Sequence, residues 1–140
     1  MNIMFFLTPK SETVYESLDA TLQQVLERMD HHHLTAIPVI DKEGQYIGTM
    51  TEGDILRVIK SNPELTYNNV TRYQIETIPR RTNHLSVRVD EKIENIIKLS
   101  MSQNFVPVVD DEGVYIGIIK RADIIEYCYN SMINKSERAL

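Results

Sequence analysis

The residues Gly48-Thr49-Met50-Thr51-Glu52-Gly53-Asp54 are the side-chain types from which a ribose and phosphate site can be made. They follow an apolar run that reads as a strand over Tyr46 to Thr51, and they open a predicted helix from Asp54 to Lys60. A helix N-terminus offers unpaired backbone N–H groups and a partial positive charge to an anion. Thr51 can donate a hydrogen bond to a phosphate oxygen, whereas an ionised Asp54 can only accept, for instance from two vicinal ribose hydroxyls. The same two residue types are ordinary helix caps. On this stretch alone, capping and ligand binding both stand.

The stretch occurs twice. Thr35 to Ile59 reappears 69 positions later as Asn104 to Cys128, with 10 of 25 residues identical. One supersecondary unit is therefore used twice. The second copy reads Gly117-Ile118-Ile119-Lys120-Arg121-Ala122-Asp123, which keeps the aspartate and puts Lys120 where Thr51 stands. Arg121 follows it, and Arg80 and Arg81 are expected nearby. Arginine holds phosphate through two parallel hydrogen bonds and lysine as a point charge. The second cleft then prefers more phosphate, or lends cations to a ligand seated in the first, or stays empty behind solvated charges.

Other constellations carry less. His31-His32-His33 ends a predicted helix, where three consecutive side chains fan apart and suit the negative end of the helix dipole. No third ligand stands at metal-site spacing, so no metal is expected. The five glycines include no phosphate-cradling G-x-x-x-x-G-K-[ST] loop. Neither a nucleophile with its base nor a basic recognition helix is present, which disfavours catalysis and DNA contact. Asp41, Glu43, Asp110 and Glu112 fall at equivalent turn positions and read as geometry.

The elements that must position these residues follow the same order in each copy. Asp19 is the expected cap of a helix carrying Leu22, Val25, Leu26 and Met29 on one face, and Asp90 that of its counterpart with Ile93, Ile96 and Ile97. Ala36 to Ile40 and Phe105 to Val109 read as buried strands, each followed by an acidic turn ending in glycine and by a return strand. Met1 to Leu7 suggests a short buried strand or an interface segment, stopped by Pro9. Ile78-Pro79-Arg80 answers Thr8-Pro9-Lys10. The expected boundaries are residues 5–60 for the first unit, 61–76 for a linker, 77–133 for the second unit and 134–140 for a frayed polar tail. A helical turn is expected near Val70 to Ile75.

The 140 residues are 42% hydrophobic and 25% charged, as in ordinary globular chains. A net charge of −5 disfavours non-specific binding to nucleic acid or acidic membranes. The single cysteine, Cys128, fits a reducing compartment and lies in an apolar helical pattern. The five-residue apolar run Ile3 to Leu7 is too short for a signal core or a membrane span. A soluble, cytoplasmic protein is expected. Apolar residues on more than one face of the last helix, from Ile124 to Ile133, predict a homodimer built on these helices.

The hydrophobic-Pro-Val-hydrophobic-Asp strand, the acidic-Gly turn and Gly-x-x-Thr-x-x-Asp before a helix resemble the CBS domain. Two in tandem are similar to a CBS pair, or Bateman module, over roughly residues 5 to 130. The second copy, with Ile78-Pro79-Arg80-Arg81 and Gln103-Asn104-Phe105-Val106-Pro107, is also similar to stand-alone bacterial CBS-pair proteins that bind cyclic di-AMP. The resemblance implies an α+β fold of two β-α-β-β-α units with pseudo-two-fold symmetry, assembled as a homodimer. It implies two clefts for adenosine ligands (AMP, ADP, ATP, S-adenosylmethionine or dinucleotides) and regulation of an unidentified protein target, with no cofactor. It gives Asp54 to the ribose, Thr51 to phosphate, and Ala36, Ile37 and Pro38 to the adenine slot with Thr8 nearby. Thr49, Arg80, Phe105, Val106, Pro107, Lys120, Arg121 and Asp123 complete the expected ligand-binding set. The alternative is a structural or dimerisation module with degenerate pockets.

Overall fold

The computed structural model of the chain describes residues 2–70, 72–80 and 84–139. In chain order its elements are β1 (Leu7–Pro9), β2 (Glu16–Ser17), α1 (Leu22–His31), β3 (Ala36–Ile40), β4 (Tyr46–Thr51), α2 (Glu52–Ser61) and α3 (Tyr67–Val70). They continue with β5 (Val87–Arg88), α4 (Ile93–Ser100), β6 (Phe105–Val109), β7 (Tyr115–Lys120) and α5 (Arg121–Ala139). Short 3-10 turns cover Ile3–Phe6, Lys10–Glu12 and Ile75–Thr77. The class is mixed α+β with two sheets.

Val14–His84 forms one compact unit. Its sheet has the order β2-β3-β4, with β2 parallel and β4 antiparallel to β3. Leu22, Val25 and Met29 from α1, Ile37 and Val39 from β3, Met50 from β4 and Ile55 from α2 make its core. Ile75 and Ile78, from beyond the first repeat, join that core, and Ile75 N–H donates to Ala20 O at 3.0 Å.

The other unit joins Met1–Thr13 to Leu85–Leu140. Its sheet order is β1-β7-β6-β5, and β1 lies antiparallel to β7 with Thr8 opposite Ile118 and Pro9 opposite Gly117. Leu7–Pro9 is therefore a strand of the second repeat's sheet, whereas Ile3–Phe6, expected as strand, forms a 3-10 turn. Ile3 is fully buried there among Val87, Ile96, Val106, Val108, Ile119 and Ile124.

Both acidic turns are built alike. The carboxylate of Asp41 accepts from the N–H groups of Glu43 and Gln45, that of Asp110 from Glu112 and Val114, all at 2.9 Å. Gly44 and Gly113 close the turns at φ 84°, where a side chain would be strained.

The helix caps differ from expectation. Thr21, not Asp19, caps α1 in a reciprocal box with Gln24, and Asp19 instead accepts from the Ser17 hydroxyl. Lys92, not Asp90, precedes α4 and makes no side-chain cap. α2 begins at Glu52, which puts Asp54 at its third position. The tail expected to fray continues α5 as helix through residue 139. Near the expected linker helix, α3 lies earlier, at Tyr67–Val70, and a 3-10 turn follows at Ile75–Thr77.

Candidate functional site

In the Val14–His84 unit, strand pairing sorts the expected residues by parity. Ala36 lies opposite Thr51 and Pro38 opposite Thr49, while Ile37 lies opposite Met50. Alternate residues of a strand face opposite ways. Ile37 and Met50 are fully enclosed in the core. Ala36, Pro38, Thr49 and Thr51 therefore share the other face, and Ile37 contributes through packing.

Thr51 is the N-cap of α2. Its hydroxyl accepts from Asp54 N–H at 3.1 Å, and the Asp54 carboxylate accepts from Thr51 N–H at 3.1 Å. The second carboxylate oxygen of Asp54 accepts from the Arg57 guanidinium at 2.6 Å. Asp54 has no exposed surface, whereas the Arg57 side chain is 35% exposed. A buried carboxylate must be charge-compensated, and Arg57 supplies the charge one turn along the helix. Capping is thus realised in full, and a ribose diol arriving at Asp54 would compete with Arg57.

Beside this pair, the Tyr46 hydroxyl donates to His84 O at 3.0 Å and lies 2.7 Å from the Thr49 hydroxyl. With its one proton committed to His84, Tyr46 accepts from Thr49. Burial raises the Tyr46 pKa above its ordinary value, partly offset by the Thr49 hydrogen bond and the Arg80 charge. Arg80 lies across Gly48, where an added Cβ would fall 2.9 Å from Nε. Gly48, Thr49, Glu76 and Arg80 border a cavity of about 270 Å³. Arg80 thus belongs with the first repeat's strand, and Arg81 lies outside the described residues.

In the other unit, Phe105 pairs with Lys120, Val106 with Ile119 and Pro107 with Ile118. Val106 and Ile119 are core residues with no exposed surface. Thr8, Ile118 and Pro107 lie in one row across three strands. Thr8 lines a cavity of about 510 Å³ together with Asp123. Phe6 and Tyr127, also on that wall, meet edge to face at 5.3 Å.

Lys120 and Arg121 are not among the described residues that line this cavity. Lys120 is exposed at the end of β7. Arg121 turns its Nε to the carbonyls of Ser100 and Gln103, at 2.8 and 3.1 Å, and so caps the end of α4. Gln103 is likewise structural: its amide accepts from Leu85 N–H and donates to the carbonyls of Leu85 and Phe105.

A model of the CBS domain matches residues 7–61 and again residues 75–130. The chain belongs to the CBS domain family. Among relatives, uncharacterised protein MJ1426 of Methanocaldococcus jannaschii is 28% identical over 145 residues, spanning 84% of this chain and 85% of that protein. CbpB of Listeria monocytogenes, solved in complex with c-di-AMP, is 18% identical with a TM-score of 0.81, covering 93% of this chain and 96% of that one. CBSX2, solved in complex with AMP, is 20% identical with a TM-score of 0.74, covering 94% and 98%. These structural likenesses establish a shared fold. The two CBS matches follow the sequence repeat, whereas the compact units exchange the pieces that open each repeat: Met1–Thr13 lies with the second CBS repeat and Ile75 to Arg80 with the first.

Among the described residues, no group of three or more His, Cys, Asp or Glu is placed to hold a metal, and His31 and His32 simply meet edge to face at 4.8 Å. No helix among them is long and apolar enough to cross a membrane. Sequence reasoning overlooked Arg57, Phe5, Phe6, Glu126 and Tyr127. The signal was in the repeat itself, where Arg57 and Glu126 occupy one equivalent position with opposite charge.

Proposed function

We propose that this CBS pair is a cytoplasmic regulatory sensor of an adenine nucleotide and acts in trans on a partner protein, without catalysis. The observation that carries the reading is the alignment of Thr51 and Asp54, at the N-terminus of α2, with Ala36 directly across the sheet. That arrangement offers a carboxylate for hydroxyls, a helix end for phosphate and a small residue beside them for a flat base. Relatives of the same fold solved with c-di-AMP and with AMP support it. The candidate ligands are AMP, ADP, ATP, S-adenosylmethionine and cyclic di-AMP. A ligand that binds one arrangement of the protein better than another shifts the population toward it, and a partner reads the shift.

A structural module with degenerate pockets is favoured by one observation, the complete engagement of Asp54 by Thr51 and Arg57. A thermal-shift screen of these ligands separates the readings, because a ligand selective for the folded state raises the melting temperature. The sensor reading expects a selective rise that shrinks in Asp54→Asn, measured from that variant's own baseline. No rise with any of them leaves the structural module.

A further inference from the structure

The two repeats place opposite charges at one position. Three residues beyond the aspartate of each motif stands Arg57 in the first repeat and Glu126 in the second. In the first, the arginine neutralises Asp54 at 2.6 Å. In the second, Asp123 and Glu126 lie one helical turn apart on α5 and both line the cavity of about 510 Å³. Among the described residues, none that lines it is a lysine or arginine, and no ion pair holds either carboxylate. Phe5, Phe6 and Tyr127 line the same cavity, and the Phe6 and Tyr127 rings meet edge to face at 5.3 Å. Further along α5, Asn130 and Asn134 add neutral hydrogen-bonding groups.

Two uncompensated carboxylates repel a phosphate and attract a cation. Aromatic rings favour the same sign, since their faces attract cations and pack flat apolar bodies. The site expected from Lys120 and Arg121 to hold additional phosphate thus has the opposite electrostatics.

We propose that the cavity built by Met1–Thr13 and Leu85–Leu140 takes an adenosine-bearing organic cation and discriminates against phosphorylated adenosines, with Glu126 setting the sign. The proposal rests on the adenosine-sensor reading and names the ligand class of its second site. Phe5 and Tyr127 supply the aromatic surface, Asp123 accepts from ligand hydroxyls, and Glu126 faces the positive charge.

Adenosine, AMP and S-adenosylmethionine share one nucleoside and differ in charge, so their affinities isolate the effect. Calorimetric titrations would use the full chain carrying Asp54→Asn, which weakens the first site and keeps its shape. S-adenosylmethionine is expected to bind about tenfold or more tighter than AMP, with adenosine between them. Adding Glu126→Arg, the charge the first repeat carries there, is expected to invert that order, and Glu126→Gln to compress it. Because Glu126 is exposed, both changes are compatible with folding. An AMP affinity equal to or above that of S-adenosylmethionine, or a ratio unmoved by Glu126→Arg, overturns the proposal and leaves the sensor reading intact. Binding by the unaltered chain but by none of the three to the Asp54→Asn chain also overturns it alone. Absence of binding to the unaltered chain overturns both.

Discussion

Arg57 links stability and ligand access through one hydrogen bond. Its guanidinium compensates a carboxylate that has no contact with solvent, so Arg57→Met removes the cation paired with a buried charge. The expected loss of stability is about 1–2 kcal/mol, moderated because the arginine itself is partly exposed. On the sensor reading the same variant should bind adenosine more tightly, since the diol no longer displaces a guanidinium. Melting curves and an adenosine titration on Arg57→Met check both halves; an unchanged melting temperature would mean that water already screens the pair. Here the sequence was half legible. Thr51 and Asp54 were identifiable as cap or ligand residues, and their capping geometry follows from local spacing. That Arg57 closes on Asp54 depends on side-chain rotamers and burial, which spacing alone does not fix.

At the scale of elements, the strand-turn-strand core of each repeat was readable to the residue. β-branched runs, an Asp that folds over the turn and a glycine at φ 84° are all local signals. The three-residue strand β1 was not readable as part of the second repeat's sheet, because so short a segment carries no information on its partner. Its seat depends instead on Gly117, where a Cβ would come within 2.2 Å of Thr8 O. Gly117→Ala should therefore dislodge β1 and cost about 2–4 kcal/mol in urea unfolding. Gly48, its counterpart, meets only the flexible side chain of Arg80, so Gly48→Ala should cost less than about 1 kcal/mol. Equal losses at the two positions would contradict this account. The two tyrosines at equivalent positions of the repeat each tie down a connecting segment, Tyr115 by donating to the Thr13 hydroxyl at 2.9 Å and Tyr46 by donating to His84 O.

For the whole molecule, a net charge of −5 disfavours non-specific binding to nucleic acid and acidic membranes, and the exposed face of α5 bears on the expected self-association. Ile125, Tyr129 and Met132 are 59%, 61% and 70% exposed, and with Met101 they border a groove of about 460 Å³ lined almost wholly by apolar side chains. We propose that a second copy of the chain covers this stripe, which would give the homodimer expected from the sequence. Sedimentation should find a dimer, and Ile125→Glu with Met132→Glu should convert it to a monomer that retains its helical circular dichroism. A monomer in the unaltered chain would remove that assembly. The pairing of β1 with β7 also bears on how the protein is made. Leu7 meets Ile119, a residue synthesised 112 positions later. At ribosomal speeds the opening strand waits on the order of ten seconds for its sheet to exist. During that interval Ile3, Phe6 and Leu7 have no core to enter, so their unit closes only once Ile119 has left the ribosome, and until then residues 3–7 are an exposed apolar segment in need of a chaperone's cover.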